Sequence, residues 1–547
     1  MKRKLLLLFI FFFLQINSFA QGTVEDAWVF FNDKPSESLF IETPLTMLTQ
    51  RALDRRLRYS ISLDIRDVPV EASYITQIKN SAGISVVAKS KWLNALHILG
   101  TQVDIENLTT FNFVSKIEYA NKSLNATGKF VKKQQVIKNN KMLDFATDFN
   151  YGNTANQIEM LHGEVLHQNN FTGEGMQIAI IDAGFPNVDE FPAFKRIRDN
   201  GQILGGYDFV NRNVNFYTGH YHGMAVLSTI GGYIDNEFIG TAPDAKFYLF
   251  ISEDAVNETP LEESLWVEAA EKADSLGVDV INTSLGYTTF DNPDYNYSYN
   301  DLDGKTTFIS RGAEVAFSRG MIVVNSAGNE GNNSWHYMSA PADSDAVLSI
   351  GAVDASGTIA NFSSFGPTVD NRIKPDICAQ GAQVYIINSS GNVVTSNGTS
   401  FSSPVLTGVI TCLWQAFQDK SNAEIVKLVK ESAHLYPNYT NQEGYGIPNF
   451  QKIYELLDIE EEEEEEEENI IEPLIFPNPI LNTINFKFPT GIDEIEVTIF
   501  NLLGKNVINR RVNKSNPTAN ISFLSKGLYM VQIQYSDSIK TIKILKN

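Results

Sequence analysis

Ile178-Ala-Ile-Ile-Asp182-Ala-Gly184 is an apolar run that stops on an aspartate. With no polar alternation, it reads as a strand buried on both faces. The carboxylate then lies at the carboxyl end of the strand, where open α/β sheets place their sites. Alone, such an aspartate more often only ends a turn. Its surroundings repeat the rhythm. Lys246–Ile251, residues 278–281 and 321–324, and Val347–Val353 read as further short apolar strands. Thr259-Pro260-Leu261-Glu262 forms a capping box with proline at the first helical position. Leu265, Ala269, Ala273 and Leu276 follow at helical spacing, and Gly277 ends that helix. This alternation over residues 150–457 predicts one α/β domain, a parallel sheet between two helical layers.

Two further segments carry chemistry. His220-Tyr-His222-Gly-Met-Ala-Val-Leu-Ser-Thr-Ile-Gly-Gly232 starts with histidine and continues small and apolar, which predicts a buried helix. Two histidines two positions apart do not share a helix face, and no third ligand is near, which argues against a metal site. Ser396-Asn-Gly398-Thr-Ser400-Phe-Ser-Ser-Pro404 places Ser400 at the start of a buried helix that extends through Val409 and Leu413. Gly398 permits a tight approach there. The Ser400 hydroxyl would stand in the positive field of the helix N-terminus. By itself, such a segment is usually a cap.

Taken together, in the order Asp, His, Ser, these segments resemble the subtilisin-like serine proteases, or subtilases. The resemblance covers residues 173–446, and Asn397-Gly-Thr-Ser-Phe-Ser-Ser-Pro404 is its most specific part. It implies a three-layer αβα domain with Ser400 as nucleophile, His222 as general base and Asp182 as the residue that orients the imidazole. His222 is preferred to His220 because it directly precedes Gly223. Ser326-Ala327-Gly328-Asn329 looks like the oxyanion-hole segment, with Asn329 as donor. Asn282-Thr-Ser284-Leu285-Gly286 looks like the strand that pairs with the substrate backbone, with Ala327 and Gly328 facing it. Asn361-Phe-Ser-Ser-Phe-Gly-Pro367 and Lys374-Pro-Asp376 also match family landmarks. Two positions depart from the pattern: Ala225 stands where a second histidine is frequent, and Ser228 where glycine is.

The flanking segments have their own characters. Lys2, Arg3 and Lys4, the apolar residues 5–14 and Ser18-Phe19-Ala20 read as a signal peptide over residues 1–20. That apolar run is too short to span a bilayer, which takes about 20 residues. Residues 21–145 show a small α+β pattern: helical spacing over 70–82 and strands at 84–87 and Val114–Tyr119. A polar stretch, 129–141, reads as a linker. By position and size, residues 21–145 resemble a subtilase propeptide. Nine consecutive glutamates, 460–468, repel one another and are expected to form an extended linker within 458–473. Residues 474–547 alternate with period 2 at 484–488, 496–500 and 529–534, with turns at Gly504 and Gly527. That pattern predicts a small antiparallel β-sandwich. Phe476-Pro-Asn-Pro479, Asn501-Leu-Leu-Gly504 and Gly527-Leu-Tyr529 resemble the type IX secretion sorting domain of Bacteroidetes. This resemblance implies the type IX machinery as a partner and an extracellular or cell-surface location.

Charge and composition bound the rest. Asp plus Glu total 65 against 43 Lys plus Arg, a net charge of −22. Such a polyanion repels phosphate backbones, which excludes nucleic acid as a partner. A monomer acting on protein or peptide substrates is expected. Cys378 and Cys412 are too few for a disulfide framework and read as two buried thiols. Asp301-Leu-Asp303-Gly304, in an Asn-, Asp- and Tyr-rich insertion, has alternating carboxylates that could hold calcium, although a polar surface loop is the plainer reading. No other cofactor is expected. A secreted serine endopeptidase is the leading reading. The alternatives are a catalytically silent subtilase-fold binding module and an ester hydrolase with the same three residues.

Overall fold

A computed structural model of the chain describes residues 23–125, 149–468, 472–536 and 538–547, with the backbone alone for 460–468. The signal peptide and the polar linker at 129–141 lie outside the described residues. The chain divides into two compact units, residues 1–454 and 455–547.

In the first unit, seven strands form one parallel sheet. Its spatial order is Ile377–Gln380, Val347–Val353, Ile322–Ser326, Val280–Thr283, Gln177–Asp182, Lys246–Ile251 and Ile203–Asp208. From the strand Gln177–Asp182 the chain runs out to the edge strand Ile203–Asp208 and returns through Lys246–Ile251. It then crosses to Val280–Thr283 on the other side and moves outward. The direction of winding reverses beside Gln177–Asp182, and the crevice at such a reversal is where this architecture binds ligands.

Alternate residues of each strand feed opposite layers. Ala179, Ile181 and Ile281 join one core with Trp266, Ala269 and Ala273 of the helix Pro260–Leu276 and with Phe308 and Ala313 of the helix Phe308–Ser318. Asn282, on the opposite face, accepts hydrogen bonds from Ser403 (3.2 Å) and Thr407 (2.8 Å) of the helix Thr399–Ala416. The helix Pro260–Leu276 starts and stops where its sequence dictates. Glu262 Oε2 accepts the Thr259 N–H at 2.9 Å, and Gly277 closes the helix in the left-handed region at φ +85°.

Residues 23–125 form a four-stranded antiparallel sheet in the order Ser85–Ser90, Ala95–Thr101, Val24–Phe31, Val114–Tyr119. This N-terminal unit packs on the helix Pro260–Leu276 along one helical face. Ser264 Oγ accepts the Trp28 indole N–H (2.8 Å) and pairs with His97 Nδ1 (2.9 Å). Glu268 accepts the Lys89 N–H, and Glu271 accepts Ser90 Oγ and the Trp92 N–H. Lys91 Nζ donates to Ser275 Oγ. Trp28 stacks on Phe308 at 5.0 Å. A second arm, the helix Gln50–Arg58, reaches the far end of the helix Pro260–Leu276. There Arg55 and Arg56 pair with Asp274 at 2.6 and 2.8 Å, Arg56 with Asp67, and Arg319 with Asp67 and Asp64.

Within the second unit, residues 474–547 are all-β. Three strands, Leu474–Phe476, Thr483–Lys487 and Thr518–Asn520, form one sheet. Asn506–Asn513, Glu494–Asn501, Gly527–Tyr535 and Ser538–Lys546 form the other. Inward-facing Ile484, Phe486, Val497, Ile499, Val531 and Ile533 make its core. The acidic run is a correction to the sequence reading: it is helical, as the end of the helix Phe450–Glu468. Glutamate is a good helix former, at a cost of only a few tenths of a kcal/mol against alanine. Like-charge pairs at i,i+4 cost about as little each, so the helix that starts at Phe450 propagates through the run.

Candidate active site

Asp182 ends the strand Gln177–Asp182, buried, with only 2% of its side chain exposed. His222 opens the helix His222–Gly231. The close seat of that helix requires Gly223: a Cβ there would stand 2.6 Å from the Gly184 carbonyl and 2.9 Å from Asp182 Cβ. The next side chain, that of His222, therefore reaches the carboxylate, and Nδ1–H donates to Asp182 Oδ1 at 2.8 Å. Asp182 Oδ1 also accepts the Ala183 N–H at 2.7 Å. Burial pulls the His222 imidazole down, but the charge and hydrogen bond of Asp182 outweigh it and raise its pKa above the ordinary histidine value. Nearby, burial pushes the Glu253 carboxyl above the ordinary glutamate value.

Ser400 is the second residue of the helix Thr399–Ala416. The His222 ring lies 6.0 Å from the ring of Phe401, the next residue of that helix. Ser400 Oγ donates to the Ser284 carbonyl at 3.4 Å, and among the described residues no hydrogen bond joins it to His222.

Asn329 is exposed beside the same helix start. Its Oδ1 accepts the Thr399 N–H (2.9 Å) and Thr399 Oγ1–H (3.1 Å), which fixes the oxygen end of the amide. Thr399 also accepts the Gly328 N–H at 3.2 Å. Thr399 therefore orients the amide, a role the sequence did not reveal because its partner is 70 residues away. Asn325 is a second such residue: its Nδ2 donates to the Leu285 carbonyl at 3.1 Å and pins the segment that follows the strand Val280–Thr283. Within that segment Ser284 is buried, Leu285 half-buried and Gly286 exposed; on the facing side Ala327 is buried.

The departures from the family pattern have local explanations. Ala225 is fully buried. Ser228 donates to the Ala225 carbonyl and accepts the Ile387 N–H, so its hydroxyl serves the backbone. Cys378 and Cys412 are buried free thiols. Asp301 is held by Lys122 Nζ (2.7 Å) and by Ser298, whereas Asp303 accepts the Lys305 and Thr306 N–H groups. The two carboxylates thus face separate partners. Among the described residues, no group of three or more His, Cys, Asp or Glu side chains could hold a metal.

The subtilase family model matches residues 173–446. The chain belongs to the subtilase family. Residues 26–140 match the peptidase S8 propeptide domain of Bacteroidota, and residues 474–547 match the secretion system C-terminal sorting domain. This subtilase is similar to serine protease AprX of Bacillus subtilis, 26% identical over 51% of this chain and 65% of that protein. It is 28% identical to subtilisin NAT of B. subtilis subsp. natto over 56% of this chain and 72% of that protein. It is also 27% identical to the human membrane-bound transcription factor site-1 protease, over 55% of this chain but 27% of that protein. By family it is a subtilisin-like serine protease with a propeptide, and the sorting domain indicates secretion to the extracellular space or cell surface. Among the described residues, no helix is long and apolar enough to cross a membrane.

Proposed function

We propose that this subtilase is a secreted serine endopeptidase that hydrolyses peptide bonds through an acyl-enzyme, with Asp182, His222 and Ser400 as its triad. The reading is carried by the 2.8 Å Asp182–His222 hydrogen bond at the reversal point of the sheet, beside the helix start that holds Ser400. The substrate backbone lies along Ser284, Leu285 and Gly286 on one side and Ala327 and Gly328 on the other. Ser400 Oγ turns from the Ser284 carbonyl to His222 Nε2, gives up its proton and attacks the scissile carbonyl carbon. The oxyanion takes hydrogen bonds from Asn329 Nδ2 and from the Ser400 N–H. The intermediate collapses, and His222 hands its proton to the leaving amine. Water, deprotonated by His222, then attacks the acyl-enzyme and releases the second product. The type IX machinery is the partner for export.

The Ser400–Ser284 hydrogen bond favours a second reading, a catalytically silent binding module. A fluorophosphonate probe separates the two. In protein freed of its prodomain, labelling that maps to Ser400, disappears in Ser400→Ala and accompanies casein hydrolysis is the expected result. A folded, prodomain-free protein that takes up no label would support the silent module.

A further inference from the structure

Pro404 stands inside the helix Thr399–Ala416. Proline has no N–H, so the carbonyl four residues back, that of Ser400, has no helical donor, and the proline ring crowds it. The donor comes from outside the helix: Ser284 Oγ–H donates to the Ser400 carbonyl at 2.9 Å. Ser284 is 7% exposed, and its own carbonyl accepts Ser400 Oγ. The two residues are thus tied side chain to backbone in both directions, across 116 positions of sequence.

We infer that the Ser284 hydroxyl is a positioning residue for Ser400: it replaces the N–H that Pro404 lacks and locks the first turn of the nucleophile helix to the substrate segment. The inference rests on the reading of Ser400 as nucleophile. An unpaired carbonyl at this turn would let Ser400 shift, and Thr399, which orients Asn329, would shift with it. Misplacing a reacting group by about 1 Å can cost about 10²-fold in rate. The bonding also explains why the helix tolerates a proline next to its functional end.

A double-mutant cycle tests this, because Pro404→Ala restores an N–H in reach of the Ser400 carbonyl. With a peptidyl nitroanilide substrate, Ser284→Ala should lower kcat about tenfold, the cost of leaving one buried acceptor unpaired, with little change in KM. In the Pro404→Ala background the same change should cost no more than about threefold. Thermal midpoints of the same four combinations, built on the full-length Ser400→Ala chain, should be non-additive in the same sense. Equal effects in both backgrounds, an unchanged kcat in Ser284→Ala or additive midpoints would overturn the positioning role while leaving the protease reading intact. An inactive, unlabelled wild type would sink both.

Discussion

Asp182 makes His222 easier to protonate, and the pH response of the site follows from that. The imidazole must be neutral at Nε2 to take the Ser400 proton, so the rate should track its unprotonated fraction. Because Asp182 raises the His222 pKa, kcat/KM should fall with decreasing pH around a midpoint above the ordinary histidine value. Asp182→Asn should move that midpoint downward and lower kcat by about 10⁴-fold. A pH–rate profile of the two proteins checks both effects, and an unmoved midpoint would assign the titration to another group. Asn329→Ala should lower kcat by about 10²–10³ with KM nearly unchanged, as expected for a donor that acts only on the transition state. The segments that carry Asp182, His222, Asn329 and Ser400 stood out in the sequence, because each joins a functional residue type to a strand end, a helix start or a glycine. Thr399, Asn325 and the Ser284 hydroxyl did not. Their partners lie 70, 40 and 116 residues away, and nothing local in a sequence names such a partner.

The central elements of the sheet were the easiest to read. Lys246–Ile251 and Val347–Val353 have the bounds their apolar runs suggest. The edge strands Ile203–Asp208 and Ile377–Gln380 were not read. The first includes two glycines, and the second has only four residues, so neither gives a strong apolar signal. The acidic run was misread because charge repulsion was weighed without helix propensity. Gly277 offers a test at this scale. It ends the helix Pro260–Leu276 at φ +85°, and a Cβ there would meet the Ala52 N–H of the prodomain at 2.8 Å. Gly277→Ala should destabilise the full chain by at least the 1–2 kcal/mol (about) that a left-handed non-glycine residue costs. Thermal unfolding of the full-length Ser400→Ala chain would show it, and an unchanged midpoint would mean that the helix end and the prodomain arm adjust freely.

At the scale of the first unit, the prodomain grips both ends of the helix Pro260–Leu276 and also reaches Phe308 and Arg319 beside it. Its position as a small α+β unit ahead of the peptidase was legible; the second arm was not, because Arg55 and Arg56 look like ordinary surface charges on a short helix. They are 4% and 2% exposed, and Asp274, which they share, is fully buried. Removing one member of such a group leaves charges without counter-ions. Asp274→Ala should therefore destabilise the full-length Ser400→Ala chain by about 3–5 kcal/mol. Denaturant melts measure it, and a loss below about 1 kcal/mol, the level of a surface pair, would show that water enters the joint. The face of the helix beneath the prodomain reads Ser264, Glu268, Glu271, Ser275, spaced by three or four residues. Partners that never separate usually meet through grease. This face adds carboxylates and hydroxyls that water can hydrate wherever the prodomain leaves them uncovered, beside the apolar contact in which Trp28 and Trp92 share a core with Leu265, Trp266 and Phe308.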